Sequence, residues 1–407
     1  MTLGQADVVT YDVAAVRAHF PALDAGYAHF DGPGGSQVPR AVAEAVAGAL
    51  VAPLANRGRV TAGERAADEI VVAARRAVAD LLGADPGGVV FGRSMTQITF
   101  DFARTLAATW APGDEVMVSS LDHDANVRPW LIAAEAVGAE VRWAEFDPAT
   151  AELSADAVAA VLSPRTRLVA VTAASNLLGT CPPVRAIADL AHDAGALVYV
   201  DAVHAAAHLP LHIEALGADF LVCSPYKFLG PHCGVLAAAP ALLEELRPQK
   251  LLPSTNVVPE RFELGTLPYE LLAGTTAAID FLAGLGTGAS RRDRLVTAMS
   301  AIGAHEDRLR RRIEDGLAAL PGVTVLSRAA QRTPTLLATF ADRDPADAYA
   351  FLAERGVHAP AGSFYALEPS RRLGLGDTGA LRIGLAPYVD DNDVDRLLGG
   401  LAEFLGV

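Results

Sequence analysis

The chain has 407 residues, 51% of them hydrophobic and 20% charged, enough apolar material to bury a large core and form two domains around one site. A formal net charge of -15 excludes phosphate-backbone binding as a default, so no nucleic-acid partner is expected and small-molecule chemistry is favoured. Three cysteines, Cys181, Cys223 and Cys233, are too few and odd in number for a disulfide framework, and no CxxC or Cys/His ligand spacing is present, so reduced thiols and no metal are expected.

No run of 18 or more residues is apolar without charges or breakers, and the start, Met1-Thr-Leu-Gly-Gln-Ala-Asp, lacks a basic region leading into an apolar one. A cytoplasmic protein with no membrane contact is the expectation. From about residue 40 helical and strand patterns alternate: helix Val42 to Val51, helix Glu64 to Leu82, strand Val89 to Gly92, helix Met95 to Trp110 and strand Glu115 to Ser120. A helix near Pro129 to Val137, strand Glu140 to Phe146, helix Ala155 to Leu162, strand Arg167 to Thr172, helix Val184 to Ala194 and strand Ala196 to Asp201 follow. This order predicts an α/β fold with a mostly parallel sheet and helices on both faces, its ligands outside the carboxyl ends of the strands. The run Gly284-Leu-Gly-Thr-Gly288 reads as a boundary. Beyond it a charged helix from Arg291 to Leu320, strands Thr324 to Leu326 and Thr335 to Thr339, a helix at Ala346 to Glu354 and a closing helix from Val394 suggest a smaller α+β domain, joined by the first 25 or so residues.

Lys227 is one of only two lysines, in a chain whose positive charge is otherwise carried by arginine. It lies in the apolar run Asp219-Phe-Leu-Val-Cys-Ser-Pro-Tyr-Lys227. A guanidinium stays protonated, whereas a desolvated ammonium loses its proton and becomes a nucleophile able to form a Schiff base. Upstream, Leu197-Val-Tyr-Val-Asp201 reads as a buried strand ending in a carboxylate, 26 residues before the lysine. This pair suits pyridoxal 5'-phosphate (PLP), with Asp201 on the pyridine nitrogen and Lys227 on the aldehyde; a buried Asp-Lys ion pair is the alternative. Phe91-Gly-Arg-Ser94-Met95-Thr96-Gln97, between a strand and a helix, would offer amides and the Thr96 hydroxyl to a phosphate, or simply cap the helix. His123, after another strand, would lie against an aromatic ligand or be an ordinary loop residue. Asn176, in Ser175-Asn176-Leu-Leu-Gly179, would donate to a phenolate oxygen or form a polar turn.

Taken in order at successive strand ends, these residues resemble a fold-type I PLP enzyme of the class V aminotransferase superfamily, and more narrowly its cysteine desulfurase-like branch. The resemblance runs from Phe30-Asp-Gly-Pro-Gly-Gly35 to Leu381-Arg-Ile-Gly-Leu-Ala-Pro-Tyr388. It implies a large domain (26-284) with a mostly parallel seven-stranded sheet, a smaller C-terminal α+β domain (285-407) and an N-terminal arm (1-25). Lys227 would hold PLP, Asp201 would bind the ring nitrogen and His123 would stack on the ring. Asn176 and His204 would bond the 3'-oxygen side, while the Met95 amide, Thr96 and Ser224 would hold the phosphate. Arg382 would grip the substrate α-carboxylate, a surface arginine being the alternative. The resemblance also implies a homodimer, with Phe262 to Tyr269 reaching the partner's phosphate site.

Departures from the family pattern bear on the reaction. Tyr226 stands where a His commonly precedes the lysine, which puts that phosphate contact in doubt, and Tyr269 replaces a phosphate-binding Thr. The loop Val357-His-Ala-Pro-Ala-Gly-Ser-Phe-Tyr-Ala-Leu-Glu-Pro369 carries no Cys to form a persulfide, and Cys233 is the remaining stand-in. The expectation is β-elimination from an S-substituted cysteine or similar amino acid through an external aldimine and α-proton abstraction by Lys227. An aminotransferase or epimerase, or a non-catalytic homologue, are the other readings. Arg128, His358, Ser363 and Tyr365 are candidates for the substrate pocket.

Overall fold

The structure is a computed structural model and describes residues 11-407; the first ten residues of the expected arm lie outside them. A short strand β1 (Ala28–His29) precedes seven strands of one sheet: β2 (Val89–Gly92), β3 (Glu115–Ser119), β4 (Glu140–Ala144), β5 (Thr166–Thr172), β6 (Leu197–Asp201), β7 (Phe220–Cys223) and β8 (Gly234–Ala238). The strand order is β2-β8-β7-β6-β5-β3-β4, and every pair is parallel except the two that β8 makes. This is the mostly parallel seven-stranded sheet expected.

The central strands are apolar throughout because both faces are covered. Along β5, Val169 and Val171 enter one core while Leu168 and Ala170 enter the other, and β7 divides Leu221 and Cys223 from Phe220 and Val222 in the same way. The first core continues through the helices Ala62–Leu82, Tyr269–Gly284 and Arg291–Ala319. The second is closed by the helices Met95–Ala107 and Arg128–Val137.

A second sheet, antiparallel, is built from β9 (Val323–Val325), β10 (Thr335–Phe340), β12 (Ala361–Gly362) and β13 (Ala380–Gly384) in the order β12-β13-β10-β9. Between them β11 (Val357–His358) pairs in parallel with β1. Near the amino end Arg17 bonds the Tyr388 carbonyl and Asp393, fastening that segment to the carboxyl-terminal part of the chain.

Elements differ from the expected bounds mostly at their ends. The helix expected at Glu64 starts at Ala62, because Thr61 and Glu64 form a reciprocal capping box. Strands β8 and β13 were not anticipated: β8 lies between glycine- and alanine-rich segments that carry little periodic contrast, and β13 is defined by its neighbours.

Gly234 at the start of β8 permits a close approach, since a Cβ there would collide with the Ser94 backbone and the Met95 nitrogen at the head of the helix Met95–Ala107. Gly234→Ala should therefore cost about 2 kcal/mol, the scale of overpacking a tight interior. Urea denaturation monitored by circular dichroism will show this as a lowered midpoint at unchanged slope.

Candidate active site

Strands β2, β3, β5, β6 and β7 run the same way, and their carboxyl ends bring the predicted residues to one cavity of about 480 Å³. Met95, Thr96, His123, Asn176, Asp201, His204, Ser224, Tyr226 and Lys227 all line it. A wider adjoining space opens past Phe100, Arg128, Phe364, Tyr365 and Arg382.

Lys227 ends the short turn Pro225–Lys227 after β7. Its Nζ donates to the carbonyls of Pro33 at 2.5 Å and Gly34 at 3.0 Å, and lies 4.6 Å from the centre of the Tyr226 ring. Burial, reinforced by repulsion from Arg382 and opposed by Asp201, lowers its pKa to about 7. A substantial share of the side chain is thus free amine at neutral pH. Asp201, at the end of β6, accepts from the Val203 amide at 2.8 Å. Burial raises its pKa to about 7, with that amide and Lys227 pulling the other way.

His123 accepts from the Ala125 amide through Nδ1 at 3.0 Å, and burial followed by repulsion from Lys227 lowers its pKa to about 4. The ring is therefore neutral, and its proton belongs on Nε2. Asp122 beneath it accepts from the Ser119 hydroxyl and, at 2.7 Å, from Asn126, whose Oδ1 accepts from the Trp130 indole at 3.2 Å. This buried network fixes the loop that carries His123.

Arg382 lies on β13 and is 2% exposed, so the surface-arginine alternative is excluded. Its Nη1 donates to the Asn176 carbonyl at 3.1 Å and its guanidinium lies 3.6 Å from the centre of the Phe364 ring. Nε has no partner, and no carboxylate among the described residues forms an ion pair with Arg382. Burial lowers its pKa to about 9. The Asp31 carboxylate opposes that shift from a distance, and a buried guanidinium with no carboxylate in contact is a receptor for an anionic group.

The other candidates that line the two cavities make contacts of their own. Asn176 donates its amide to the Phe364 carbonyl at 3.0 Å, and its buried Oδ1 is unpartnered. His204 directs Nε2 to the hydroxyls of Thr333 at 2.9 Å and Thr335 at 3.1 Å, leaving Nδ1 as its remaining polar atom. Tyr226 stacks flat on His232, with ring centres 4.6 Å apart. Arg128 stands at the mouth, paired with Asp124 at 3.0 Å. Tyr365 is 77% exposed beside His123. Phe364 and Tyr365 have φ of 53° and 58°, a left-handed pair of non-glycine residues of the kind that clusters at functional sites.

Neither His358 nor Ser363 lines these two cavities. Cys233 lies outside them too, 3.5 Å from the Thr275 hydroxyl, and burial pushes its thiol up to about 11. The residues missed from sequence are Pro33 and Gly34, which supply the lysine's acceptors, and Phe364, which backs the arginine. The run Asp31-Gly-Pro-Gly-Gly was the available signal for the first two, since only a tight turn exposes adjacent carbonyls to one donor.

Comparison with known proteins places this cavity in a family context. A model of "Aminotransferase class-V" matches residues 28–397. The chain belongs to the aminotransferase class-V family. It is 37% identical to an uncharacterized protein of Mycobacterium tuberculosis over 97% of this chain and 99% of that one. It is 31% identical to a cysteine desulfurase of Klebsiella pneumoniae, covering 97% and 98% of the two chains. The crystal structure of the Escherichia coli cysteine desulfurase CsdA in its S-sulfonic acid form superimposes with a TM-score of 0.87 at 30% identity, covering 97% and 99%. The family member described here is accordingly a PLP-dependent enzyme of fold type I.

The lowered lysine pKa has a direct consequence. In cofactor-free protein, acylation of Lys227 by an amine-selective reagent should rise with pH and reach half its maximum near pH 7, because only the deprotonated amine reacts. Peptide mapping across a pH series checks this, and Arg382→Gln should move the midpoint upward by removing a repulsive charge.

Proposed function

We propose that the cavity binds PLP through Lys227 and that the enzyme catalyses β-elimination from an α-amino acid bearing a sulfur substituent on its β-carbon. The observation that carries this reading is a half-buried lysine, free amine in substantial part at neutral pH, that shares its cavity with a buried Asp201 and lies near a buried Arg382 that no carboxylate touches. The donor set suits the cofactor: a carboxylate for a ring nitrogen, a neutral imidazole for the ring face, the amide end of the helix Met95–Ala107 with Thr96 and Ser224 for a phosphate, and an unfilled Asn176 acceptor.

When bound, PLP supplies an electron sink that makes a proton on the substrate α-carbon removable. Asp201 would hold a proton on the ring nitrogen, and burial suits it to sharing one near neutral pH. Arg382 orients the α-carboxylate by a bidentate fork. Lys227 would hold the cofactor aldehyde and, as a free amine, would serve as the general base for the α-proton. His123 would cover the ring without adding charge. Phe100, Phe364 and Tyr365 form the mouth that would receive the group on the β-carbon.

Support for elimination over persulfide transfer comes from the thiols. The 357-369 loop contains no cysteine, and Cys181, Cys223 and Cys233 are all pushed well above their ordinary pKa by burial. A thiolate nucleophile is therefore disfavoured at neutral pH. Transamination or epimerisation on the same residues is the second reading, since Lys227 could return the proton instead of expelling a leaving group. The same reading extends to an arm at 1-25, a large domain at 26-284 and a small one at 285-407, in a cytoplasmic homodimer.

Purified enzyme given PLP and a panel of S-substituted cysteines should release pyruvate and a thiol. Formation of the pyridoxamine cofactor with alanine, or exchange of α-deuterium without pyruvate, would favour the second reading. Borohydride reduction followed by mass spectrometry should locate the cofactor on Lys227, and Lys227→Ala should lose that label. Arg382→Ala should raise KM by about 10- to 100-fold, the range for losing a charged hydrogen bond to substrate, with a smaller change in kcat.

A further inference from the structure

A second constellation lies where β1 and β11 pair, and none of its side chains is among the fourteen residues that line the cavity. The parallel register sets His29 opposite His358, so these two side chains share a face. Residues two apart along an extended segment also share a face, which adds Asp31 to His29 while Ala28 and Phe30 turn into the core. One potential ligand atom from each of His29, Asp31 and His358 lies within 4.8 Å of the other two.

The hydrogen bonding around His29 is frustrated. Its Nδ1 is 3.3 Å from Asp31 Oδ1 and 3.4 Å from Gln37 Nε2. A proton on Nδ1 would satisfy the carboxylate and oppose the amide donor, whereas a bare Nδ1 would accept from the amide and face the carboxylate lone pairs. Its Nε2 is buried with no partner, in a side chain only 8% exposed. His358 is half-buried and stacks on Tyr27, with ring centres 4.7 Å apart. Arg396, the nearby guanidinium, is bound by the carbonyls of Gly26, Arg355 and Gly356.

We infer that His29, Asp31 and His358 form a binding site for one divalent transition-metal cation of the zinc class. Two imidazoles and a carboxylate are a donor set these ions favour, and a cation replaces the unresolved imidazole-carboxylate contact with two bonds. Ligand bonds of about 2.1 Å in a tetrahedral shell set the ligand atoms about 3.4 Å apart, so the His29 and Asp31 atoms at 3.3 Å already fit and side-chain movement of at most about 1.4 Å brings in His358. Asp31 keeps a third of its side chain exposed, which leaves room for water in the remaining position. The cation would clamp β1, which leads into the turn that accepts Lys227, to β11, which leads into the loop carrying Phe364 and Tyr365.

The test uses full-length enzyme with its cofactor bound, stripped of metal by chelator and titrated with zinc chloride by calorimetry, alongside melting temperatures. Wild type should bind one zinc per chain and melt higher with zinc present. His358→Ala and Asp31→Asn should each weaken binding at least tenfold and abolish the zinc-dependent rise in melting temperature, with the cofactor absorbance unchanged. Should the buried His29→Ala variant fail to fold, these two partly exposed positions still decide the matter. No binding by wild type up to millimolar zinc, or unaltered stoichiometry and affinity in both variants, would overturn the inference.

Discussion

Asp201 and Arg382 are held out of water and Lys227 is half withdrawn from it, without the full set of partners that would make burial cheap, and the rest of the architecture follows from that constraint. Removing an ion from water is costly unless it is paired or changes its protonation state. Lys227 and Asp201 take the second route, each drawn toward neutrality by burial and moderated by the other. Arg382 cannot easily do so, and it stays a buried cation with an orphaned Nε beside an aromatic face. A fold that tolerates this arrangement must be rigid enough to prevent its collapse into ordinary ion pairs, and the unmet polar capacity is what a cofactor and a carboxylate substrate would satisfy.

The rigidity comes from two sheets with different duties. The seven-stranded sheet delivers Asp201 and Lys227 from adjacent strands, with packing on both faces fixing their separation. The antiparallel sheet delivers Arg382 from β13, whose neighbours β10 and β12 pair with it on both sides. Between them the Gly32–Gly34 turn is shared ground: its carbonyls hold the lysine amine, and Gly32 and Gly34 lie against β13 residues or their immediate successors. Small movements of the second sheet against the first would alter the charge around Lys227 because Arg382 is among the causes of its lowered pKa.

The strained pair Phe364 and Tyr365 sits where this second sheet meets the cavity. Left-handed backbone at two successive non-glycine residues persists only where surrounding contacts hold it. Here the Asn176 amide bonds the Phe364 carbonyl, and the Asp124 amide bonds the Tyr365 carbonyl at 2.7 Å. Both anchors belong to strand-end loops of the large sheet. The mouth is therefore shaped by contacts between segments far apart in sequence.

Local chemistry made the lysine, the aspartate and the order of strand-end motifs legible, because a lone amine in an apolar run and a carboxylate ending a buried strand are written in consecutive residues. The alternation of patterns likewise specified a mostly parallel sheet, since period and length are properties of each segment. Tertiary structure alone decided what those residues meet. It put the Pro33 and Gly34 carbonyls on a lysine 193 or 194 positions away, turned His204 to Thr333 and Thr335, buried Arg382 on an unanticipated strand, and brought His358 to His29 instead of to the substrate pocket. Such contacts are set by strand register and by which faces pack together, and no local pattern encodes the partner of a side chain hundreds of residues distant.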